Sequence, residues 1–208
     1  ELPGNSFFVT SSSPCDSTRI SYPILQKLFE YPMLYLDAPF RYDREAVLYY
    51  ASQLKEQLIP FLETVTGRKL DIDRIREVIT ESNKAYEHLL DVHDTYKVLP
   101  APHNGFLRLV PFFIYISGAG NPGTTRTLKL LSEDAATRVK EGRTQGPFEE
   151  RHRALWLHVT PTFDMELYDW MEQELGAMVV TNSLSSSAIL EPIDTTSLDS
   201  MLEGIAWQ

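Results

Sequence analysis

The chain is 208 residues long, 43% hydrophobic and 23% charged, with a formal charge of -10. That composition describes a folded globular protein with room for one substantial core or two smaller ones, and excludes a disordered segment. The acid excess and the lack of a Lys/Arg stripe exclude a nucleic-acid backbone or an anionic membrane as partner, and a single cysteine, Cys15, excludes an internal disulfide framework and fits a reducing, cytoplasmic compartment.

Residues 6–10, around Phe7-Phe8-Val9, predict a short buried strand. It empties into Ser11-Ser12-Ser13-Pro14-Cys15-Asp16, after which residues 17–30 predict a helix interrupted near Pro23, and Met33 to Leu36 a second strand ending at Asp37-Ala38-Pro39. Strand, helix and strand in this order form a βαβ unit and imply parallel pairing. Val47, Ala51, Leu54, Leu58, Phe61 and Val65 then recur at helical spacing, with Asp43 placed to cap the start, Pro60 to kink the middle and Gly67 to end it. A second helix is expected from Ile72 to Tyr96, capped by Asp71 and paired with the first through Ile75, Val78, Ile79, Tyr86, Leu89 and Val92.

The apolar segment Leu107 to Ile116 contains the longest apolar run, far too short to span a bilayer, and the first residues lack the basic-then-apolar order of a signal peptide. A helix from Thr125 to Glu141 stops at Gly142, where the linker to Pro147 suggests a domain boundary. The first pattern then returns as strand 154–159, loop Thr160-Pro161-Thr162, helix 163–175 stopped by Gly176, and strand 178–181. Two βαβ units are thus separated by a helical insertion. Each offers only two strands, and a two-stranded open sheet cannot bury its own edges, so the chain is expected to be an internal piece of a longer protein.

Cys15 follows a strand and precedes a helix, where α/β proteins place chemistry. Helix N–H groups favour a thiolate there, a nucleophile or metal ligand, while the alternative is a small buried hydrophobe. Gly118-Ala119-Gly120-Asn121-Pro122-Gly123 matches the dinucleotide fingerprint, but no strand ending in an acidic residue follows its helix and Pro122 removes an N–H from the cradle, so a plain turn is preferred over nicotinamide or flavin binding. His88, His93, His103, His152 and His158 show no zinc-ligand spacing. Trp156 is expected in the core.

Several stretches together resemble the 2-hydroxyacyl-CoA dehydratase and benzoyl-CoA reductase family. They are Thr10 to Arg19 with its Pro-Cys-Asp, Pro32-Met33-Leu34-Tyr35-Leu36-Asp37-Ala38-Pro39, Leu62 to Asp71, Arg151 to Trp156, the Gly176-Ala177-Met178-Val179-Val180 strand entry, and Glu191 to Ala206. The resemblance implies an α/β fold with two Rossmann-like domains: residues 1–42 as part of the first, 43–146 as a helical insertion and linker, and 147–208 as the start of the second. It implies a subunit of an oxygen-sensitive cytoplasmic enzyme that uses a 4Fe-4S cluster to deliver a low-potential electron to a CoA thioester, giving a ketyl radical and then dehydration or aromatic ring reduction. A related second subunit and an ATP-hydrolysing iron-sulfur activator are the implied partners. Only Cys15 lands on a cluster-ligand position, with Ser12, Ser13 and Asp16 as surrounding donors by proximity and Thr160 and Thr162 as residues of a facing loop. One cysteine cannot hold such a cluster, so the other ligands are expected outside these residues and the piece alone is expected to be inactive. The alternative is a non-catalytic interaction subunit of the same fold.

Overall fold

The computed structural model describes residues 6–13, 17–144, 146, 148–157, 160–161, 163–183 and 191–208. The chain is a mixed α/β protein with two separate two-stranded parallel sheets and divides into two compact units, residues 1–74 with 193–208, and residues 75–192.

In the first unit, strand β1 (Phe8–Ser11), helix α1 (Thr18–Phe29) and strand β2 (Met33–Leu36) form the expected βαβ. The strands pair in parallel from Phe8 with Met33 to Ser11 with Leu36. Pro23 lies inside α1, which continues through it. Helix α2 (Arg44–Gln53) starts where Asp43 accepts the Ala46 N–H. It passes through a π-helical turn at Leu54–Leu58 into helix α3 (Ile59–Thr66), which ends at Gly67 with φ of 68°. The expected kink at Pro60 is therefore a π turn just before the proline, which has no N–H to continue the ladder.

This helical stretch packs against β2 and the last helix, α8 (Leu198–Trp207). Leu36 and Leu34 of β2, Ala51 of α2, Leu54 and Leu58 of the π turn, and Leu198 and Leu202 of α8 form one core. Ser197 opens α8 with a capping box: its hydroxyl accepts the Ser200 N–H at 3.0 Å and the Ser200 hydroxyl accepts the Ser197 N–H at 3.0 Å. A Cβ on Gly204 would come within 2.5 Å of Ile193 Cγ2, so the glycine lets the segment before α8 fold flat against it.

In the second unit, Ala85, Tyr86 and Leu89 of helix α4 (Ile72–Thr95) pack against Tyr115 of helix α5 (Val110–Gly118) and Leu128 of helix α6 (Pro122–Glu141). Gly118 and Gly120 sit in the α5–α6 turn, where a Cβ would collide with Thr124 Oγ1 and Val78 Cγ1 respectively. Asn121 caps α6 by accepting the Gly123 N–H. The fingerprint glycines thus join two helices, and the strand that a dinucleotide site needs is replaced by α5. Strand β3 (His152–Trp156), helix α7 (Glu166–Leu175) and strand β4 (Ala177–Asn182) make the second βαβ, with an irregularity between Ala154 and Leu155. Trp156 is half-buried and packs against the cluster of Leu109, Tyr168 and Val179.

Candidate functional site

At the carboxyl edge of the first sheet, Ser12 is buried and continues the strand pairing through its N–H to the Leu36 carbonyl. Its hydroxyl accepts the Ala38 N–H at 2.7 Å and donates to the Ala38 carbonyl at 3.2 Å, so it ties the two strand exits together. Ser13 is exposed, and its N–H donates to the Ser11 hydroxyl at 3.3 Å. Thr18 Oγ1 donates to the Ser11 carbonyl at 2.8 Å, which pins the start of α1 to the end of β1. The residues on either side of the loop, Ser12 and Thr18, are thus both tied to the ends of the strands. Cys15 and Asp16, the predicted ligand and its neighbour, lie in that loop outside the described residues.

The exit of β2 is held by α2. Gln53, buried beside β2, accepts the Asp37 N–H through Oε1 at 2.9 Å and donates Nε2 to the Asp37 carbonyl at 2.8 Å, mimicking a neighbouring strand. Tyr49 donates its hydroxyl to Asp37 Oδ2 at 3.3 Å and Arg19 of α1 meets Asp37 Oδ1 at 3.4 Å. Sequence reasoning missed Gln53 and Asp37; the signal was a polar residue on the buried stripe of α2, between Ala51 and Leu54.

The carboxyl edge of the second sheet is built in a similar way. Asn182, the last residue of β4, donates Nδ2 to Thr160 Oγ1 at 2.9 Å, and both residues are buried. Thr162 and His158 fall outside the described residues.

Two further buried groups of this unit escaped the sequence. Arg108 is 3% exposed, and its Nε–H donates to the Val180 carbonyl at 3.1 Å while its terminal nitrogens stand 3.0 Å from the two ring nitrogens of His93. Burial, with Arg108 adding to it, pushes the His93 pKa down to about 3. The ring is therefore neutral and offers one lone pair, so one of the two contacts is a hydrogen bond and the tautomer decides which. The Tyr96 ring lies 5.3 Å from the guanidinium carbon, a cation–π distance. Glu172 of α7 is 2% exposed and accepts the Gly105 N–H at 2.6 Å. Burial pushes its carboxyl up to about 7 against that hydrogen bond, helped by Asp169 and Glu150. Charged residues inside apolar surroundings, Leu107-Arg108-Leu109 and the Tyr168/Glu172 face of α7, were the signals available.

Among the described residues no group of three or more His, Cys, Asp or Glu side chains is placed to hold a metal ion. His103 Nε2 lies 2.8 Å from Asp134, which also accepts from Arg138, a polar cluster between a loop and α6. No described helix is long and apolar enough to cross a membrane.

Two parallel βαβ units, each with a polar loop at the carboxyl edge of its sheet, define an α/β protein of the kind that places ligands at that edge. Residues 3–208 match the family described as 2-hydroxyglutaryl-CoA dehydratase, D-component, and the chain belongs to that family. It is 26% identical over 158 residues to the alpha subunit of (R)-2-hydroxyglutaryl-CoA dehydratase from Acidaminococcus fermentans, covering 74% of this chain and 33% of the relative. It is 25% identical over 193 residues to one of the subunits of benzoyl-CoA reductase from Thauera aromatica, covering 88% of this chain and 45% of the relative. A third relative, the (R)-phenyllactyl-CoA dehydratase alpha subunit of Clostridium sporogenes, is 23% identical over 159 residues, 74% of this chain and 39% of its own length. The chain spans between a third and just under half of these relatives.

Proposed function

We propose that this chain is part of a cytoplasmic acyl-CoA enzyme subunit, a 2-hydroxyacyl-CoA dehydratase or an aroyl-CoA reductase, whose two βαβ units are the nuclei of two Rossmann-like domains. The observation that carries this reading is the family match over residues 3–208. In this reading a 4Fe-4S cluster delivers a low-potential electron to a CoA thioester, with a related second subunit and an ATP-hydrolysing iron-sulfur activator as partners. The residues of this chain do not make a cluster site by themselves, since it has one cysteine and the described residues contain no metal-ligating group. The chain's own contribution is one thiolate, Cys15, in a loop anchored by Ser12 and Thr18, with the remaining ligands supplied from outside these 208 residues. Ser13 and Asp16 on the same loop, and Thr160 and Thr162 on the corresponding loop of the second unit, are assigned to the surroundings of the reacting group, where the hydroxyls of Ser13, Thr160 and Thr162 would favour negative charge.

The lone cysteine also supports a second reading, a non-catalytic interaction subunit of the same fold. Iron and acid-labile sulfide, measured per chain in the full-length protein purified with its neighbouring subunit under anaerobiosis, separate the two. About four irons per subunit, lost together with the cluster signal in Cys15→Ser, are expected for the catalytic subunit. An iron-free protein, or iron unchanged in Cys15→Ser, would remove the ligand assignment.

A further inference from the structure

Arg108 carries a full charge in the interior of the second unit, and among the described residues no carboxylate is hydrogen-bonded to it. Buried arginines are ordinarily paired, because an isolated charge away from water is costly. Its Nε–H is spent on the Val180 carbonyl and one donor from each terminal nitrogen faces the His93 ring, which leaves further N–H donors of its fork without a protein acceptor among the described residues. His93 cannot supply the missing negative charge, since a neutral imidazole is at best a dipole. The Tyr96 face contributes a weak cation–π attraction at 5.3 Å.

The guanidinium borders a cleft of about 400 Å³ between the end of α4 and β4, also lined by His93, Asp94, Tyr96, Lys97 and Arg153. Three of the charged groups here are cations and one is an anion. Asp94 is already engaged with the Lys97 ammonium at 2.6 Å, and Arg153 is held in place by Glu150 at 2.6 Å and by the Lys97 and Val98 carbonyls. The cleft thus has a rigid buried fork at its base and a flexible ammonium at its rim, in a protein whose net charge is -10. Each terminal nitrogen of Arg108 keeps one N–H, on opposite edges of the guanidinium, so a single charge-assisted hydrogen bond is open to an oxyanion in the cleft, with the Lys97 ammonium, shared with Asp94, beside it.

We infer that this cleft is a phosphate-binding site, with Arg108 as its anchor and Lys97 as its outer clamp. The phosphate comes either from the free ion or from a phosphorylated ligand such as CoA; the second source rests on the acyl-CoA reading, the first does not.

The test is a phosphorus NMR titration of the full-length protein with inorganic phosphate and, separately, with CoA, at constant ionic strength. Binding is expected to weaken about 10- to 100-fold in Arg108→Gln, with part of the loss restored in Arg108→Lys, the range set by charge-assisted hydrogen bonds. Lys97→Gln, an exposed position that does not threaten folding, is expected to weaken binding about threefold or more, because it also leaves Asp94 unpaired beside the anion. Phosphate binding that CoA does not displace identifies the free ion as the ligand; tighter CoA binding abolished by the same variants identifies the phosphorylated cofactor. Dissociation constants weaker than about 10 mM for both probes, or binding indifferent to Arg108 and Lys97, would overturn the site. If Arg108→Gln does not fold, Lys97→Gln decides alone. The Cys15→Ser iron measurement is independent of all these outcomes.

Discussion

Glu172 shows how one buried carboxyl couples the fold to pH. Its pKa of about 7 lies above the ordinary 4.5, so its favourable neutral form is complete below pH 4.5 and is lost as pH rises through 7. Glu172→Gln keeps an oxygen to accept the Gly105 N–H and removes the charge. The variant is expected to melt with the wild type at about pH 4 and to become more stable than it by about 2–3 kcal/mol at about pH 8, since one pKa unit is worth about 1.4 kcal/mol. A difference independent of pH in chemical denaturation would show that Glu172 is not ionising in place. His93 works in the opposite direction. Held neutral with a pKa of about 3, it withholds a proton that the unfolded chain binds below about 6.5, so its contribution is lost as pH falls below that value. Neither residue was visible as functional in the sequence, because spacing along a helix identifies a face but not the charge buried opposite it.

At the level of elements, helix boundaries were the most legible feature. Asp43, Gly67, Gly142 and Gly176 all act as stop or start signals where local chemistry requires, with the glycines at φ near +60° to +70°. These are contacts across three or four residues, so the chain carries the information locally. Gly204 is different, since it lies inside α8, where glycine ordinarily weakens a helix. Gly204→Ala would normally stabilise by up to about 1 kcal/mol. Here the new Cβ meets Ile193 Cγ2 at 2.5 Å and Cβ at 3.1 Å, so the substitution is expected instead to cost about 1–3 kcal/mol, read as a lower denaturation midpoint. A raised midpoint would mean that the 193–197 segment moves away freely. The π turn before Pro60 was only partly legible: the proline announced an irregularity, but which residue the helix inserts depends on keeping Leu54 and Leu58 on the face toward β2 and α8.

For the whole molecule, the division into two units predicts where a deletion is felt. Residues 193–208 belong with residues 1–74, and α8 completes the Leu36, Ala51 and Leu54 core. Deleting 193–208 is expected to speed hydrogen exchange in β1, β2 and α2 by at least about tenfold, the effect of losing about 1.4 kcal/mol of local stability. Exchange in α4, α6 and β4 should stay within about twofold. Uniform acceleration through both units would refute the assignment of 193–208 to the first.

The strand–helix–strand order of each half, the helix caps, the parallel pairing and the family resemblance were all open to inspection in the amino-acid order, because they arise from short-range sterics, hydrogen bonding and periodic burial. The partner of each helix was not: α2 packs with α8, far from it along the chain, while α4 turns to α5 and α6. The clamp of Gln53 on Asp37, the strut of Ser12 on Ala38 and the unbalanced Arg108 likewise exist only once distant segments meet. Periodicity says that a face is buried, and hydrophobic contact is non-directional; the identity of what covers it is settled by shape and by the few polar groups that must find partners when water leaves.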